Sequence, residues 1–139
     1  MTNVELIKKL YHAFKNKDTV TCRSLCDENI EWQLSEGMPN GGVFVGKDAI
    51  FKEYFPKMLS NFKEFHSIPE HISDMKDHVM VTGKYQGTSK KGKSFEVSFS
   101  HVYHIKDDKI VQFRQFTDTE KITESLKWNQ VHLLRLVWK

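Results

Sequence analysis

Residues 99–118, FSHVYHIKDDKIVQFRQFTD, set a histidine, a glutamine, an arginine and an aspartate among aromatic and branched residues at a spacing of two. Alternation on both sides of Asp107-Asp108 predicts a β-hairpin. Alternate residues of an extended chain share a face, which groups Phe99, His101, Tyr103 and Ile105. An even-numbered loop adds Ile110, Gln112, Arg114, Phe116 and Asp118, with Tyr103 opposite Gln112 and His101 opposite Arg114. Isolated charges on so apolar a face cost roughly several kcal/mol, so they demand partners, water or a ligand. One solution is an internal network, with Arg114 on Asp118 or a helix carboxylate and His101 on Gln112 or Tyr103. The other is a wet pocket whose polar groups orient a small molecule. Such a pocket could move protons. His101 titrates near neutrality, and burial would raise the pKa of Asp118 toward it.

These groups need elements to hold them. Val4, Ile7, Leu10, Tyr11 and Phe14 recur at helical spacing, and Thr2 or Asn3 can cap that helix. A second short helix is expected to carry Val20, Leu25 and Cys26, before a strand at 29–35 with Ile30, Trp32 and Leu34 on one side. Turn formers fill 36–42, and a short extended piece follows at 43–45. Helical spacing returns from Asp48 to Leu59, with a kink or early end expected near Phe55 because Pro56 lies inside it. The second half reads as strands. One spans 62–72 with a bulge or an edge at Pro69, and a long hairpin pairs 78–88 with 94–106 before the strand at 109–118. Helices first and strands after predict an α+β domain with helices on one face of a curved antiparallel sheet. Trp32, Tyr54, Phe55 and Phe116 would be the apolar walls of any pocket, beside Phe99 and Tyr103.

The bulk composition excludes several functions. The chain has 139 residues, 39% of them hydrophobic and 28% charged, with net charge +3. Its densest basic stretch, Lys90, Lys91 and Lys93 around Gly92, reads as a solvated turn rather than a nucleic-acid-binding stripe. No apolar run is long enough to cross a membrane, and no secretory signal is visible at the start, so a cytoplasmic protein is expected. Cys22 and Cys26 stand four apart, no second cysteine pair accompanies them, and no H-x-x-x-H pair occurs. Buried free thiols are therefore expected, and neither a metal nor a cofactor.

The order of elements, with YHAFKNKDTVTCRSLCDENIEW (11–32), GGVFVGKDAIFKEYF (41–55), GKYQGTSKKGKSFEVSFSHVYHI (83–105) and KIVQFRQFTD (109–118), resembles the nuclear-transport-factor-2-like superfamily. Within it the SnoaL-like polyketide cyclases and ketosteroid-isomerase-related proteins are the most similar branch. The resemblance implies a cone-shaped α+β barrel over residues 1–139, a pocket between helices and concave sheet, and a homodimer through the outer sheet face. It also implies proton transfer by Asp118 and a histidine on the preceding strand, matched by His101 or equally by His104. Departures disfavour steroid isomerisation. Gln33 stands where the ketosteroid isomerases carry their base, Leu10 where they carry a phenol (Tyr11 is one place away), and Ser100 near their buried acid. The remaining readings are an acid–base cyclase, isomerase or lyase for an apolar or aromatic molecule, a non-catalytic binder of such a ligand, and a dimeric adaptor.

Two further expectations come from surfaces. The opposite strand face (Met80, Thr82, Ser98, Ser100, Val102, His104, Val111, Phe113 and Gln115) is too apolar for a fully solvated sheet, which favours the dimer. The segment 119–139 forms an apolar extension in which Thr119 caps a helix carrying Ile122 and Leu126. Leu133, Leu134, Val137 and Trp138 follow as a second cluster that should be buried.

Overall fold

A computed structural model describes residues 1–127. Helix α1 (Asn3–Lys15) begins as its sequence dictates. Thr2 accepts from the Glu5 N–H at 3.1 Å, and the Glu5 carboxylate accepts from the Thr2 N–H at 3.2 Å. This reciprocal capping box satisfies two donors that a helix start leaves open. Leu6, Ile7, Leu10, Tyr11 and Ala13 form its buried side, packed against the sheet. Helix α2 (Thr19–Ser24) is capped by Asp18.

Strands β1 (Cys26–Gln33) and β2 (Val43–Val45) follow. The expected interruption near Phe55 takes a specific form. Residues Ala49–Tyr54 wind as a π-helix, with the Phe55 N–H reaching back to the Ile50 carbonyl. The turn then tightens into α3 (Phe55–Leu59), where Pro56 sits in the first turn. The proline marks the place where the wide π-turn gives way to the tighter one.

Strands β3 (Phe62–Met75), β4 (His78–Ser89), β5 (Ser94–Lys106) and β6 (Lys109–Thr117) complete one curved, unclosed sheet of order β2-β1-β6-β5-β4-β3. The expected antiparallel sheet needs one correction. The pairing of β1 with β6 is parallel, because β6 returns to the edge of β1 running in the same direction. As expected, β3 is an edge strand and its register shifts between Pro69 and His71. Gly83 answers that bulge, for a Cβ there would lie 2.0 Å from the Ile68 carbonyl oxygen.

The hairpin between β5 and β6 follows the expected pairing only at its tip. Lys106 faces Lys109 and Ile105 faces Ile110, so Asp107 and Asp108 form a two-residue loop. Both have positive φ, 51° and 59°, as the twist-matched hairpin turn requires. The register then slips. His104 stands opposite Gln112, Tyr103 opposite Phe113, and His101 opposite Gln115. One extra residue on β6 is a β-bulge, and it turns every later side chain to the other face. Phe113 and Gln115 point inward; Arg114 and Phe116 point out.

Helix α4 (Thr119–Ser125) is capped by Asp118, one residue before the expected cap, and buries Ile122, with Leu126 packed on the core. The expected cluster at Leu133, Leu134, Val137 and Trp138 lies outside the described residues.

Candidate functional site

Four elements converge on His101, a β5 residue only 4% exposed. Its Nδ1 lies 2.6 Å from the hydroxyl of Tyr11 on α1, and its Nε2 bonds the hydroxyl of Tyr85 on β4. Tyr103 donates to the Tyr11 oxygen at 2.9 Å. Gln115 on β6 donates to the Tyr85 oxygen at 2.8 Å, and its own Oε1 accepts from the Ser35 N–H at 3.2 Å. The Ser35 hydroxyl donates to the Gln115 carbonyl at 2.9 Å. A continuous polar chain thus crosses the interior from the 35–42 loop to the first helix.

Burial keeps every member neutral. It pulls the His101 imidazole down to about 3, so the ring carries one proton at neutral pH. It pushes the phenols of Tyr11, Tyr85 and Tyr103 well above the usual tyrosine range. The hydrogens can then be counted. The bonds Tyr85–His101, His101–Tyr11 and Tyr103–Tyr11 need one hydrogen each, while the four groups bring one each. One hydrogen is left over. With Tyr103 donating to Tyr11, it sits on Tyr85 or Tyr11 according to which ring nitrogen of His101 is protonated.

A second donor without an acceptor lies close by. Trp32, 3% exposed, stacks on Phe113 at 3.9 Å between ring centroids, and Phe113 meets the His101 ring at 4.9 Å. Among the described residues the Trp32 indole N–H has no hydrogen-bond partner. Buried polar atoms of this kind are rare and call for an explanation. Phe55 and Tyr54 extend the aromatic wall, Phe55 touching Trp32 at 5.8 Å and Tyr54 touching Phe55 at 5.1 Å. Phe99 stacks on His101 at 3.9 Å.

The structure therefore brings together His101, Tyr103, Phe99, Trp32, Phe55 and Tyr54 from the sequence-expected set. It does not bring Gln112, Arg114, Phe116 or Asp118 to them. The β6 bulge sends Gln112 to the outer face, where it donates to Glu31 at 3.5 Å. It exposes Arg114 over the ring of Phe116, itself 47% exposed, with the guanidinium carbon 5.1 Å from the ring centroid. Arg114 is therefore not a buried guanidinium in need of a carboxylate. Asp118 lies exposed at the end of β6, its carboxylate accepting from the Glu120 N–H at 3.1 Å. His104 lies on the outer face, and of the two histidines it is His101 that faces inward.

Tyr11, Tyr85 and Gln115 were missing from the expected set. Helical spacing puts Tyr11 on the buried face of α1, and strand alternation puts Tyr85 on the inner face of β4, so each position is legible by itself. Their hydroxyls meeting across one histidine is not. Two surface depressions formed by described residues lie elsewhere. One, of about 600 Å³, is lined by Glu64, His66, Gln86 and Phe95 among others, and one of about 340 Å³ lies between Phe95 and α4. Cys22 and Cys26 are free and buried, their thiols pushed up by burial to about 11 and about 12. No helix among the described residues is long and apolar enough to cross a membrane.

Comparison with known proteins assigns this architecture. The family model of the SnoaL-like domain matches residues 7–113. The chain belongs to the SnoaL-like family. Among solved structures it is similar to an NTF2-like protein from Burkholderia thailandensis, at 28% identity over 91% of this chain and 98% of that one, with a TM-score of 0.87. It is similar to TerC co-crystallised with polyporic acid, at 26% identity over 89% and 97% of the two chains, with a TM-score of 0.83. An NTF2-like protein of unknown function from Burkholderia pseudomallei shares the fold at 21% identity, over 91% and 99% of the chains, with a TM-score of 0.85. No curated protein matches the chain.

Proposed function

We propose that this SnoaL-like protein binds a small apolar or aromatic molecule bearing an acceptor oxygen, and relocates a proton on it as a cyclase, isomerase or lyase. The observation carrying the proposal is the buried His101, held by tyrosines at both ring nitrogens in a chain with one hydrogen to spare, beside the unpartnered Trp32 N–H. A carbonyl or enol oxygen would accept from these donors, and the ring walls of Trp32, Phe55 and Phe99 suit an aromatic body.

A neutral imidazole bonded on both sides can take a proton at one nitrogen as it releases one from the other. That relay moves a proton without leaving an ion in the interior, which the burial of His101 would make costly. Enol–keto exchange is the simplest chemistry of this form. The reading seats proton transfer on His101 and leaves Asp118 as the cap of α4.

The co-crystallisation of TerC with polyporic acid supports an aromatic ligand and supplies a probe. Tryptophan fluorescence titrated with polyporic acid and a panel of aromatic enols should show saturable binding. His101→Gln should weaken that binding at least tenfold and remove any turnover. Asp118→Asn should change neither by more than about twofold. Saturable binding with His101→Gln silent in both readouts would sink the proposal. Turnover lost in Asp118→Asn with binding kept would move the chemistry to the end of β6. A pure binder would show affinity changes with no turnover in any variant.

A homodimer through the outer sheet face belongs to the same proposal. With the register corrected, that face carries Met80, Val102, Arg114 and the half-exposed Phe116, and Phe113 and Gln115 leave it. Met80 pairs with Val102, with Phe116 on the adjoining strand, and it is such contiguous apolar surface that marks an interface. A cytoplasmic setting is in keeping with two unpaired thiols.

A further inference from the structure

The β3–β4 turn brings two adjacent metal-ligating side chains against a third from a distant part of the sequence. Met75 pairs with His78, so Lys76 and Asp77 form the loop, with Lys76 at φ +66°. The Asp77 carbonyl accepts from the Ile105 N–H at 2.8 Å, which ties the loop to β5. On the outer face His78 is the direct cross-strand partner of His104, and their rings stack at 4.3 Å between centroids with 11° between planes. The Asp77 carboxylate faces both, one oxygen 3.0 Å from His78 Nδ1 and the other 3.7 Å from His104 Nε2.

We propose that Asp77, His78 and His104 form a surface site for a divalent transition cation of the zinc class. The donor atoms all lie within 4.8 Å of one another. Tetrahedral zinc with bonds of about 2.0–2.1 Å sets its donors roughly 3.3 Å apart, and the contacts of 3.0 and 3.7 Å, one from each carboxylate oxygen, hold both imidazoles near that spacing from the Asp77 carboxylate. Two imidazoles and one carboxylate are borderline donors that suit zinc, copper(II) or nickel(II) better than calcium or magnesium. Three protein ligands leave the fourth position to water.

The side chains are reachable from solvent, His104 at 35% and Asp77 at 68% exposure. Binding needs rotation of the rings toward the carboxylate, with no movement of the paired strands that carry them. A bound ion would fasten the β3–β4 turn to β5 on the face opposite His101, at a place distinct from the proposed ligand site.

The test is a titration of the full chain, free of any affinity tag, with zinc chloride at pH 7.5, followed by calorimetry and by the histidine ring resonances in NMR. One ion per chain should bind at micromolar concentration, shifting the rings of His78 and His104 and sparing those of His12 and His66. His104→Gln and Asp77→Asn should each weaken binding at least tenfold, while His66→Gln leaves it unchanged. Absence of saturable binding below about 100 μM would overturn the site. Binding that survives His104→Gln and Asp77→Asn would place the ion elsewhere and overturn it equally.

Discussion

His101 and His104 stand three residues apart on the same strand and meet opposite fates. His101 points inward, among Tyr11, Tyr85, Phe99 and Phe113, with both nitrogens engaged by neutral hydroxyls. His104 points outward, stacked on His78 beside an aspartate and in contact with water. The residue type is the same, and the difference comes from what surrounds it. In the interior an imidazolium would lose its hydration and gain no counter-charge, so the ring is kept neutral and serves as a two-sided hydrogen-bonding group. At the surface a carboxylate and a second imidazole can share a cation with it. Face, rather than sequence neighbourhood, decides what a histidine can do here.

The largest expected effect separates the two rings by stability. His101→Phe removes one hydrogen bond from each of Tyr11 and Tyr85, leaving their hydroxyl hydrogens without the imidazole, and should cost about 2–4 kcal/mol in urea denaturation, since unsatisfied buried polar groups carry about 1–3 kcal/mol each. His104→Gln, on the solvent side, should stay within about 0.5 kcal/mol. Equal losses in the two variants would erase the distinction drawn between the faces.

Acidification sharpens the same contrast. The unfolded His101 takes its proton near 6.5, whereas the folded ring stays neutral down to about 3. Between those values the unfolded chain binds more protons, so stability is fully present above pH 6.5 and is lost as pH falls toward 3. The slope from this residue approaches 1.4 kcal/mol per pH unit, about 2.303RT for one proton. Denaturation midpoints at pH 7, 5.5 and 4.5 should therefore fall more steeply in the wild type than in His101→Phe. Parallel curves would mean that the folded ring titrates freely.

The smallest effect on the folded chain comes from the outer face. Phe116→Glu replaces a half-exposed ring and should alter chain stability by no more than about 0.5 kcal/mol. In light scattering at micromolar concentration it should nevertheless convert a dimer of the 16.4 kDa chain to monomer. A wild type that is already monomeric removes the dimer from the proposal.

Much of this molecule was readable in advance. The α1 face, a cap at Thr2 or Asn3, the break near Phe55 before Pro56, the bulge or edge at Pro69 and the inward run of Phe99, His101, Tyr103 and Ile105 all follow from local chemistry. Periods of 3.6 and 2 assign faces without knowledge of the partner elements. The Asp107-Asp108 turn even set the first pairs of the last hairpin, Ile105 with Ile110.

Beyond those pairs the tertiary structure took over. Period-2 alternation specifies a face only up to parity, and the single bulged residue on β6 reversed it for Arg114, Phe116 and everything after. That reversal removed an arginine from the interior and put Gln115, an uncharged group able to donate and accept, across from His101. The bulge goes with the parallel pairing of β6 to β1, whose own register also shifts between Cys26 and Glu31; such pairings couple positions some eighty residues apart. The same holds for Tyr11 with His101, and for Asp77 and His78 with His104. Sequence by itself determined which elements form and, up to the β6 bulge, which of their faces are buried. Which polar atoms touch was decided only when distant strands and a helix met, because a hydrogen bond or a metal ligand set depends on distances of a few ångströms that no local pattern contains.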